Sequence, residues 1–332
     1  MARIAPIDGR ALIFRPMKSG LQQLPMTLTL AAALPFGCLL QQPPPVELVY
    51  RHAATGNLKI YEFPAAGRTD TAVPAVVWIH GGGWTGGNCE SFFPLARYTA
   101  ARGAASFVVE YRLVKPGGPT MADSIADCKS ALRYLRGHAA ELKLDPHRLA
   151  LVGESAGGHL AAAVATLDGF DFPADDRSIS ARPDALVLYN PCLDLGHSQF
   201  SHLVPGFTGA TPARRQALAD DYSPLAHVRP GLPPTLCIHG LADTVISPEQ
   251  SRQFADAMTQ AGNRCDLALL PGLPHAFLIP NYKCSEQVVV DALRRGDAFL
   301  TSLGYFSGES NLTVSDPPAW KAKWPTPTPP LH

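Results

Sequence analysis

The sequence lacks excess charge, long apolar runs and paired cysteines, and each absence excludes a class of protein. Its 332 residues include 28 basic and 28 acidic side chains, so the formal net charge is zero. It has no lysine/arginine block, which argues against nucleic-acid binding, because that binding rests on neutralising phosphates. The apolar stretch Met26–Leu40 is shorter than the roughly 20 residues that span a bilayer. We therefore expect no nucleic-acid partner and no membrane span.

The seven cysteines form no C-x-x-C pair and have no zinc-like spacing. Cys128 and Cys237 lie within apolar helix and strand patterns, so we expect buried free thiols there. Export would allow one or two disulfides, whose connectivity the sequence does not give. His197 and His202 could form a metal pair, but no third ligand stands at a useful spacing. We predict no metal site.

Hydrophobic residues make up 46% of the chain, which is typical of a globular protein. Residues 1–45 resemble a secretory leader, with basic residues followed by the apolar stretch, and so predict export to the periplasm or medium. The alternative is a cytoplasmic protein with a frayed extension. Residues 306–332 form a proline-rich tail. The intervening residues 46–305 are expected to form one domain.

Within that domain, short apolar runs alternate with helical patterns. The predicted strands are Glu47–Arg51, Leu58–Phe63, Ala75–His80, Ser106–Tyr111, Leu149–Gly153, Ala185–Tyr189, Thr235–His239 and Asp266–Leu270. The predicted helices are Phe92–Arg102, Met121–His138, Ala156–Leu167, Pro248–Ala261 and Glu286–Leu303. The first two strands suit an antiparallel hairpin. The later alternation predicts an α/β fold, a mostly parallel sheet of about eight strands with helices on both faces.

A G-x-S-x-G pattern, Gly153 to Gly157, stands between a predicted strand and a predicted helix. A serine in so tight a turn needs neighbours without side chains two positions before and after it. The turn places the hydroxyl at the carboxyl edge of the sheet, above the positive end of the next helix. The alternative is an ordinary glycine turn. The position at the junction favours Ser155 as a nucleophile.

A second glycine-rich segment, His80-Gly-Gly-Gly-Trp84, closes the third predicted strand. Backbone N–H groups approach a ligand closely only where side chains are absent. Such a loop donates hydrogen bonds to an oxyanion, together with the N–H that follows the nucleophile, here Ala156. A phosphate-binding loop is the competing interpretation, but no Lys-Ser/Thr follows and no G-x-G-x-x-G opens a helix. The segment therefore favours acyl chemistry.

A nucleophilic serine needs a base, and the base needs an orienting acid. His275 lies in a loop after the last predicted strand, as the base does in the chain order Ser…Asp…His. The alternative is a loop histidine packed on Phe277. His80 and His239 each end an apolar strand before a glycine, so we expect them to shape loops.

The acid should lie between Ser155 and His275, after the penultimate strand. Asp243 meets that condition, because it stands in the turn after Thr235–His239. Asp266 begins a strand and is a poorer candidate. The residue before the nucleophile, Glu154, is on the wrong side of the turn to orient the base. We therefore predict Asp243.

These motifs together resemble the α/β-hydrolases of the hormone-sensitive-lipase-like or acetyl-esterase group, over roughly residues 46–305. They are HGGGW at His80–Trp84, YRL at Tyr111–Leu113, GESAGGHLA at Gly153–Ala161, HGLAD at His239–Asp243 and LPHAF at Leu273–Phe277. The resemblance implies an α/β-hydrolase fold, with Ser155 as nucleophile, His275 as base and Asp243 as acid. It also implies an oxyanion hole from the residues Gly82, Gly83 and Ala156, with His80 and Gly81 supporting the loop.

The sequence departs from the lipase-like group in two features. Glu154 replaces the aspartate usual in the lipase-like group, and a leader-like segment replaces an amino-terminal helical cap. Both make the chain similar to bifunctional carbohydrate and feruloyl esterases, which implies short acyl groups, acetyl or feruloyl groups on carbohydrate among them. We expect Trp84, Glu154 and Phe277 to line the pocket, and residues 196–230 to form a lid.

The sequence thus predicts a serine carboxylesterase for a small-molecule or carbohydrate ester, which needs no metal or organic cofactor. The alternatives are a serine peptidase or lipase of the same fold, or a non-catalytic binding protein on that scaffold. Nothing in the sequence predicts the oligomeric state.

Overall fold

The computed structural model describes residues 33–41, 43–53, 56–67, 70–279 and 283–315. Within these ranges the strands are Leu34–Pro35 (β1), Val46–Ala53 (β2), Gly56–Phe63 (β3), Val73–Ile79 (β4), Ala105–Val109 (β5), Leu144–Glu154 (β6), Ala185–Tyr189 (β7), Thr235–Gly240 (β8), Cys265–Leu270 (β9) and Leu312–Thr313 (β10). The α-helices are Phe93–Ala101 (α1), Met121–Gly137 (α2), Ala156–Thr166 (α3), Pro212–Tyr222 (α4), Pro248–Gln260 (α5) and Glu286–Ser302 (α6). Short 3₁₀ helices lie at Phe36–Gln41, Cys89–Phe92, Ser201–Leu203 and Pro224–His227.

The main sheet has eight strands in the order β2-β3-β5-β4-β6-β7-β8-β9. β3 pairs antiparallel with β2 and with β5, and the remaining neighbours pair in parallel. The predicted α/β fold is therefore confirmed. β4 and β6 are neighbouring strands, and their carboxyl ends lie side by side, with Ile79 opposite Gly153. Because parallel strands end at the same edge, the two glycine-rich segments lie side by side.

Helices cover both faces of the sheet, and apolar spacing decides which side of each helix is buried. On α2, Ile125, Cys128, Leu132 and Leu135 follow a three- and four-residue spacing, and all are 0% exposed. They share one core cluster with α3 and α5. The helices α1 and α6 pack in a second cluster on the opposite face.

The packed unit includes segments near both ends of the described chain. β1 pairs in parallel with β10, and the Gly37 N–H donates to Ser315 Oγ at 2.6 Å. Phe36 and Leu312 are both 0% exposed and join the core cluster of α1 and α6. Their burial packs these two segments against the rest of the domain.

This packing moves the predicted domain boundaries outward. Residues 33–41 and 306–315, assigned from sequence to the terminal segments 1–45 and 306–332, belong to the packed unit. Two-residue strands carry no readable periodicity, so the sequence pattern could not reveal them. Residues 1–32, 42 and 316–332 of these segments lie outside the described residues.

Residues 196–230, called the cover segment below, hold α4 and two 3₁₀ helices. Sequence reasoning missed α4 because only Ala219 and Tyr222 are buried in it, too few for an apolar stripe. Thr211 caps the helix by accepting a hydrogen bond from the Arg214 N–H.

All seven cysteines lie among the described residues and are free thiols. Cys128 and Cys237 are 0% exposed, as their apolar surroundings predicted. Nowhere in the described ranges does the chain have a helix with the length and apolar character needed to span a membrane.

Candidate active site

Ser155 occupies a strained turn between β6 and α3. Its φ is 55° and its ψ is −120°, a conformation that non-glycine residues rarely adopt. A Cβ on Gly157 would lie 2.1 Å from the Ile79 carbonyl oxygen, so only glycine lets α3 start this close to β4. The Ser155 N–H donates to the Tyr189 carbonyl at 2.9 Å. These contacts hold the serine at the carboxyl edge of the sheet.

Ser155, His275 and Asp243, which are far apart in sequence, form one hydrogen-bonded chain. Ser155 Oγ lies 2.9 Å from His275 Nε2, and His275 Nδ1 lies 2.7 Å from Asp243 Oδ2. Because a carboxylate only accepts, the Nδ1–H donates to it and Nε2 is free to accept from the hydroxyl. Asp266, the alternative acid, instead pairs with Arg264.

The Asp243 carboxylate is fully buried and accepts hydrogen bonds at both oxygens. The backbone N–H groups of Val245 and Ile246 donate to Oδ1 at 2.8 and 2.9 Å. Burial alone would raise the pKa of Asp243, but hydrogen bonds from His239 and His275 outweigh it and hold the pKa below its usual range. The Asp243 carboxylate is therefore charged where it accepts the hydrogen bond from His275.

His239 is the second histidine on this carboxylate. It is 0% exposed, and its Nε2 lies 3.2 Å from Asp243 Oδ2 and 3.1 Å from the Ile246 carbonyl. Its Nδ1 accepts from Ser251 Oγ at 2.7 Å. From sequence we expected His239 only to shape a loop. The four-residue spacing in HGLAD is the signal that could have linked it to Asp243.

Residues 80–87, called the oxyanion loop below after the role predicted from sequence, lie against Ser155. A Cβ on Gly81 would be 3.2 Å from Ser155 Cβ. Gly82 has a φ of +122°, and its carbonyl accepts from the Gly86 N–H at 2.9 Å. A Cβ on Gly82 would lie 2.2 Å from the Gly86 carbonyl oxygen, so this turn requires glycine. The loop thus brings bare backbone next to the serine.

His80 anchors the start of the oxyanion loop. Its ring stacks on Tyr111 at 4.5 Å, and the Tyr111 hydroxyl donates to the His80 carbonyl at 2.9 Å. The His80 Nδ1–H donates to the Gly81 carbonyl at 2.7 Å. Burial lowers the pKa of His80 to about 4, so the ring is neutral. These contacts fix the backbone of His80 and Gly81 at the end of β4.

Trp84 anchors the far side of the loop through His159, a residue that sequence reasoning did not weigh. Trp84 Nε1 donates to His159 Nδ1 at 3.1 Å, and His159 Nε2 donates to the Tyr222 carbonyl at 2.9 Å. Burial lowers the pKa of His159 to about 4, which keeps it neutral. A histidine within an otherwise small and apolar helix segment, GGHLAAA, was the available signal.

The three predicted pocket residues are not exposed to a pocket, which corrects that expectation. Trp84 and Phe277 are 0% exposed and Glu154 is 1% exposed. Phe277 packs edge-on against Tyr189 in the core, with ring centroids 6.3 Å apart. Phe200 of the cover segment reaches the oxyanion loop instead, with an edge carbon 3.5 Å from where a Cβ on Gly83 would stand.

Glu154 is a buried acid directly before Ser155. Its Oε1 accepts from the Leu278 N–H at 3.3 Å. Burial raises the pKa of Glu154 to about 8, and the negative charge of Asp243 adds to the shift. The side chain is therefore protonated near neutral pH. Its hydrogen bond joins the end of β6 to the segment after His275.

We expect Glu154→Gln to stabilise the protein progressively as pH rises from about 5 to 8. Below roughly pH 4.3, the pKa of this carboxyl in the unfolded chain, the group is protonated in both the folded and the unfolded state. It then adds no pH dependence to the free energy of unfolding. Above that pH the unfolded chain ionises first, so wild type loses stability until the folded pKa is passed. In thermal unfolding, the stability difference between the two proteins should grow to on the order of 5 kcal/mol once the folded pKa is passed. A difference that is constant over pH 5–9 would contradict a protonated Glu154.

Among the described residues, no group of three or more His, Cys, Asp or Glu side chains is placed to hold a metal ion. His197 Nδ1 pairs with Asp194 at 2.7 Å, and His202 Nδ1 donates to the Gln199 carbonyl at 3.0 Å. The two histidines therefore have separate partners.

The sequence matches one family model and several named ester hydrolases. The family model BD-FAE matches residues 58–258. The chain is 31% identical over 238 residues to LipM of Mycobacterium tuberculosis, a probable carboxylic ester hydrolase, covering 68% of this chain and 54% of LipM. It is 28% identical over 223 residues to an acetylxylan esterase of Xylanibacter ruminicola, covering 65% of this chain and 44% of that enzyme. The chain thus spans about half the length of these two relatives.

The fold has a similar counterpart among solved structures. Esterase 2 of Thermogutta terrifontis, with propionate bound, superposes with a TM-score of 0.72 and is 34% identical. The match covers 80% of this chain and 97% of that one. The family match and the similar fold agree: the chain belongs to the BD-FAE family and has the α/β-hydrolase fold.

Proposed function

We propose that the protein is a serine carboxylesterase that hydrolyses esters of short-chain acids through an acyl-enzyme on Ser155. The observation that carries this is the continuous chain of hydrogen bonds from Ser155 Oγ through His275 to Asp243, at 2.9 and 2.7 Å. Such a chain lets a weakly acidic hydroxyl transfer its proton while it attacks.

In the first half-reaction, Ser155 Oγ attacks the ester carbonyl carbon and its proton passes to His275 Nε2. Asp243 stabilises the resulting imidazolium through the Nδ1–H. The N–H groups of Gly82, Gly83 and Ala156 donate to the oxygen that becomes negative. When the carbon–oxygen bond of the tetrahedral intermediate breaks, the Nε2 proton goes to the departing alcohol.

In the second half-reaction, water enters where the alcohol left and gives a proton to His275 Nε2. The hydroxide oxygen attacks the acyl carbon, and the same backbone donors stabilise the second intermediate. Its collapse returns the proton to Ser155 Oγ and releases the carboxylic acid.

The surroundings of Ser155 favour esters with short acyl groups as substrates. Ser155 is 8% exposed, and the half-buried Phe200 ring lies against the oxyanion loop at Gly83. We assign the cover segment the role of a lid that limits the room above the site. Esterase 2 of Thermogutta terrifontis has been solved with propionate and with butyrate bound. The acetylxylan esterase relative supports acetyl groups on carbohydrate as one class of substrate.

A panel of p-nitrophenyl esters from acetyl to decanoyl, with acetylated xylan and methyl ferulate, tests the substrate class. We expect kcat/KM to be highest from acetyl to butyryl and to fall at least tenfold by octanoyl, because the covered site excludes longer chains. A maximum at decanoyl would favour a lipase. Release of acetate from xylan, or of ferulate, would identify the carbohydrate substrate.

Labelling with a fluorophosphonate probe separates an enzyme from a binding protein. The probe should modify Ser155, identified by peptide mass spectrometry, because only an activated serine displaces the fluoride. Ser201 is equally exposed at 8% but donates to the Leu195 carbonyl, so it should remain unlabelled. Absence of labelling at Ser155 would count against the mechanism.

A further inference from the structure

His159 lies at a junction of three elements next to the nucleophile. It is one helical turn beyond Ser155, whose carbonyl accepts from the His159 N–H at 2.9 Å. Its side chain is 0% exposed and contacts Trp84 of the oxyanion loop and Tyr222 at the end of α4. One imidazole therefore joins the nucleophile helix, the oxyanion loop and the cover segment.

The two side-chain bonds require one specific form of the ring. The indole Nε1 of Trp84 only donates, so His159 Nδ1 must accept. The Tyr222 carbonyl only accepts, so His159 Nε2 must carry the proton. A neutral histidine satisfies both partners at once, and an apolar residue of similar size would leave the buried indole N–H without this acceptor.

The oxyanion loop depends on few side chains for its position. Five of its residues are glycines, which contribute no packing: Gly81, Gly82, Gly83, Gly86 and Gly87. The buried side chains at its two anchors are His80 and Trp84. Trp84 directly follows Gly83, has a φ of 61°, and meets the His159 ring edge-on at 5.1 Å. A shift of the indole would therefore be passed directly to the Gly83 backbone.

The cover segment reaches the same anchor by two routes. Its Phe200 ring packs edge-on against Trp84 with centroids 5.5 Å apart. The carbonyl of Tyr222 is bound by His159. The position of the cover segment and that of the oxyanion loop are thus linked through Trp84 and His159.

We propose that His159 is a positioning residue for ester hydrolysis, holding the oxyanion loop through Trp84 and joining it to the cover segment through Tyr222. This inference rests on the proposed function, because it assigns the loop the task of binding the oxyanion. His159 does not touch the substrate. It acts on the transition state by fixing donors that must not move when charge develops.

Three single variants and one double variant test the proposal. His159→Leu removes both bonds and should lower kcat for p-nitrophenyl acetate about tenfold or more, with KM within about twofold. His159→Asn puts Oδ1 in the place of Nδ1, so it should regain most of the lost kcat. Trp84→Phe removes the donor and keeps a ring, so it should lower kcat towards the value of His159→Leu while the bond to Tyr222 remains. The double variant Trp84→Phe/His159→Leu should be no slower than His159→Leu, because that single variant has already lost the bond between Trp84 and His159.

Amide hydrogen exchange gives a readout that does not depend on turnover. Exchange at residues 80–87 should rise in His159→Leu and return towards wild type in His159→Asn. A purely space-filling role predicts the opposite order, since asparagine leaves the larger cavity and the lower Tm. Additive losses in the double variant, or an Asn variant as slow as the Leu variant, would overturn the proposal.

Failure here can be told apart from failure of the proposed function. Wild type that is inactive on every ester would count against the esterase mechanism itself. Normal wild-type turnover with undiminished kcat in His159→Leu and Trp84→Phe would overturn only the role given to His159.

Discussion

Ser155→Ala is expected to lower kcat for p-nitrophenyl acetate by on the order of 10⁵-fold, with little change in Tm. The substitution removes the attacking oxygen and leaves the backbone of the turn, including its φ of 55°, to be held by the Tyr189 carbonyl. His275 then has no hydroxyl proton to accept, so covalent catalysis is lost. Residual hydrolysis would come from the oxyanion donors and an activated water.

The control for this prediction is Ser201→Ala. Ser201 has the same exposure as Ser155 but no bond to His275, so its loss should leave kcat within about twofold. Both variants should be measured by ester turnover and by thermal unfolding. Turnover near the wild-type rate in folded Ser155→Ala would refute the serine mechanism.

Asp243→Asn is expected to lower kcat by on the order of 10⁴-fold at neutral pH. Asn Oδ1 can accept from the N–H groups of Val245 and Ile246, which donate to Asp243 Oδ1 in wild type. The Nδ2 group would then face His275 Nδ1 and force it to accept. The proton of the neutral ring would sit on Nε2, where the base must accept from Ser155.

Asp243→Asn also removes an acceptor of His239, whose Nε2 donates to the Asp243 oxygen that the amide group replaces. The loss of this hydrogen bond adds to the expected loss of activity. The matched control is Asp297→Asn, which changes another buried carboxylate. Asp297 accepts from the Tyr98 hydroxyl at 2.6 Å and pairs with Arg102 in the core. Its loss should lower Tm and leave kcat within about twofold. Equal losses of activity in the two variants would indicate a structural role for Asp243.

Much of the fold was readable because its signals are local. Each strand of the main sheet coincides with an apolar run, and the buried face of α2 follows the spacing of Ile125, Cys128, Leu132 and Leu135. Ser155, Asp243 and His275 could be selected as candidates because each follows a predicted strand, and loops after parallel strands share one edge of the sheet.

Other features had no local signal. α4 buries only Ala219 and Tyr222, so its sequence reads as polar and irregular. Phe277 follows His275 closely and was expected in the pocket, but it packs against Tyr189 in the core. Proximity in sequence does not decide to which side a loop residue turns.

The sequence by itself determined the α/β sheet, the turn that carries Ser155 and the residues expected to act with it, because periodicity, glycine placement and strand order are properties of short segments. Only the tertiary structure decided that His239 shares the carboxylate of Asp243, that His159 joins the oxyanion loop to the cover segment, and that Phe36 and Leu312 close the core. These contacts join residues of different elements, and which of them meet depends on how the elements pack against one another.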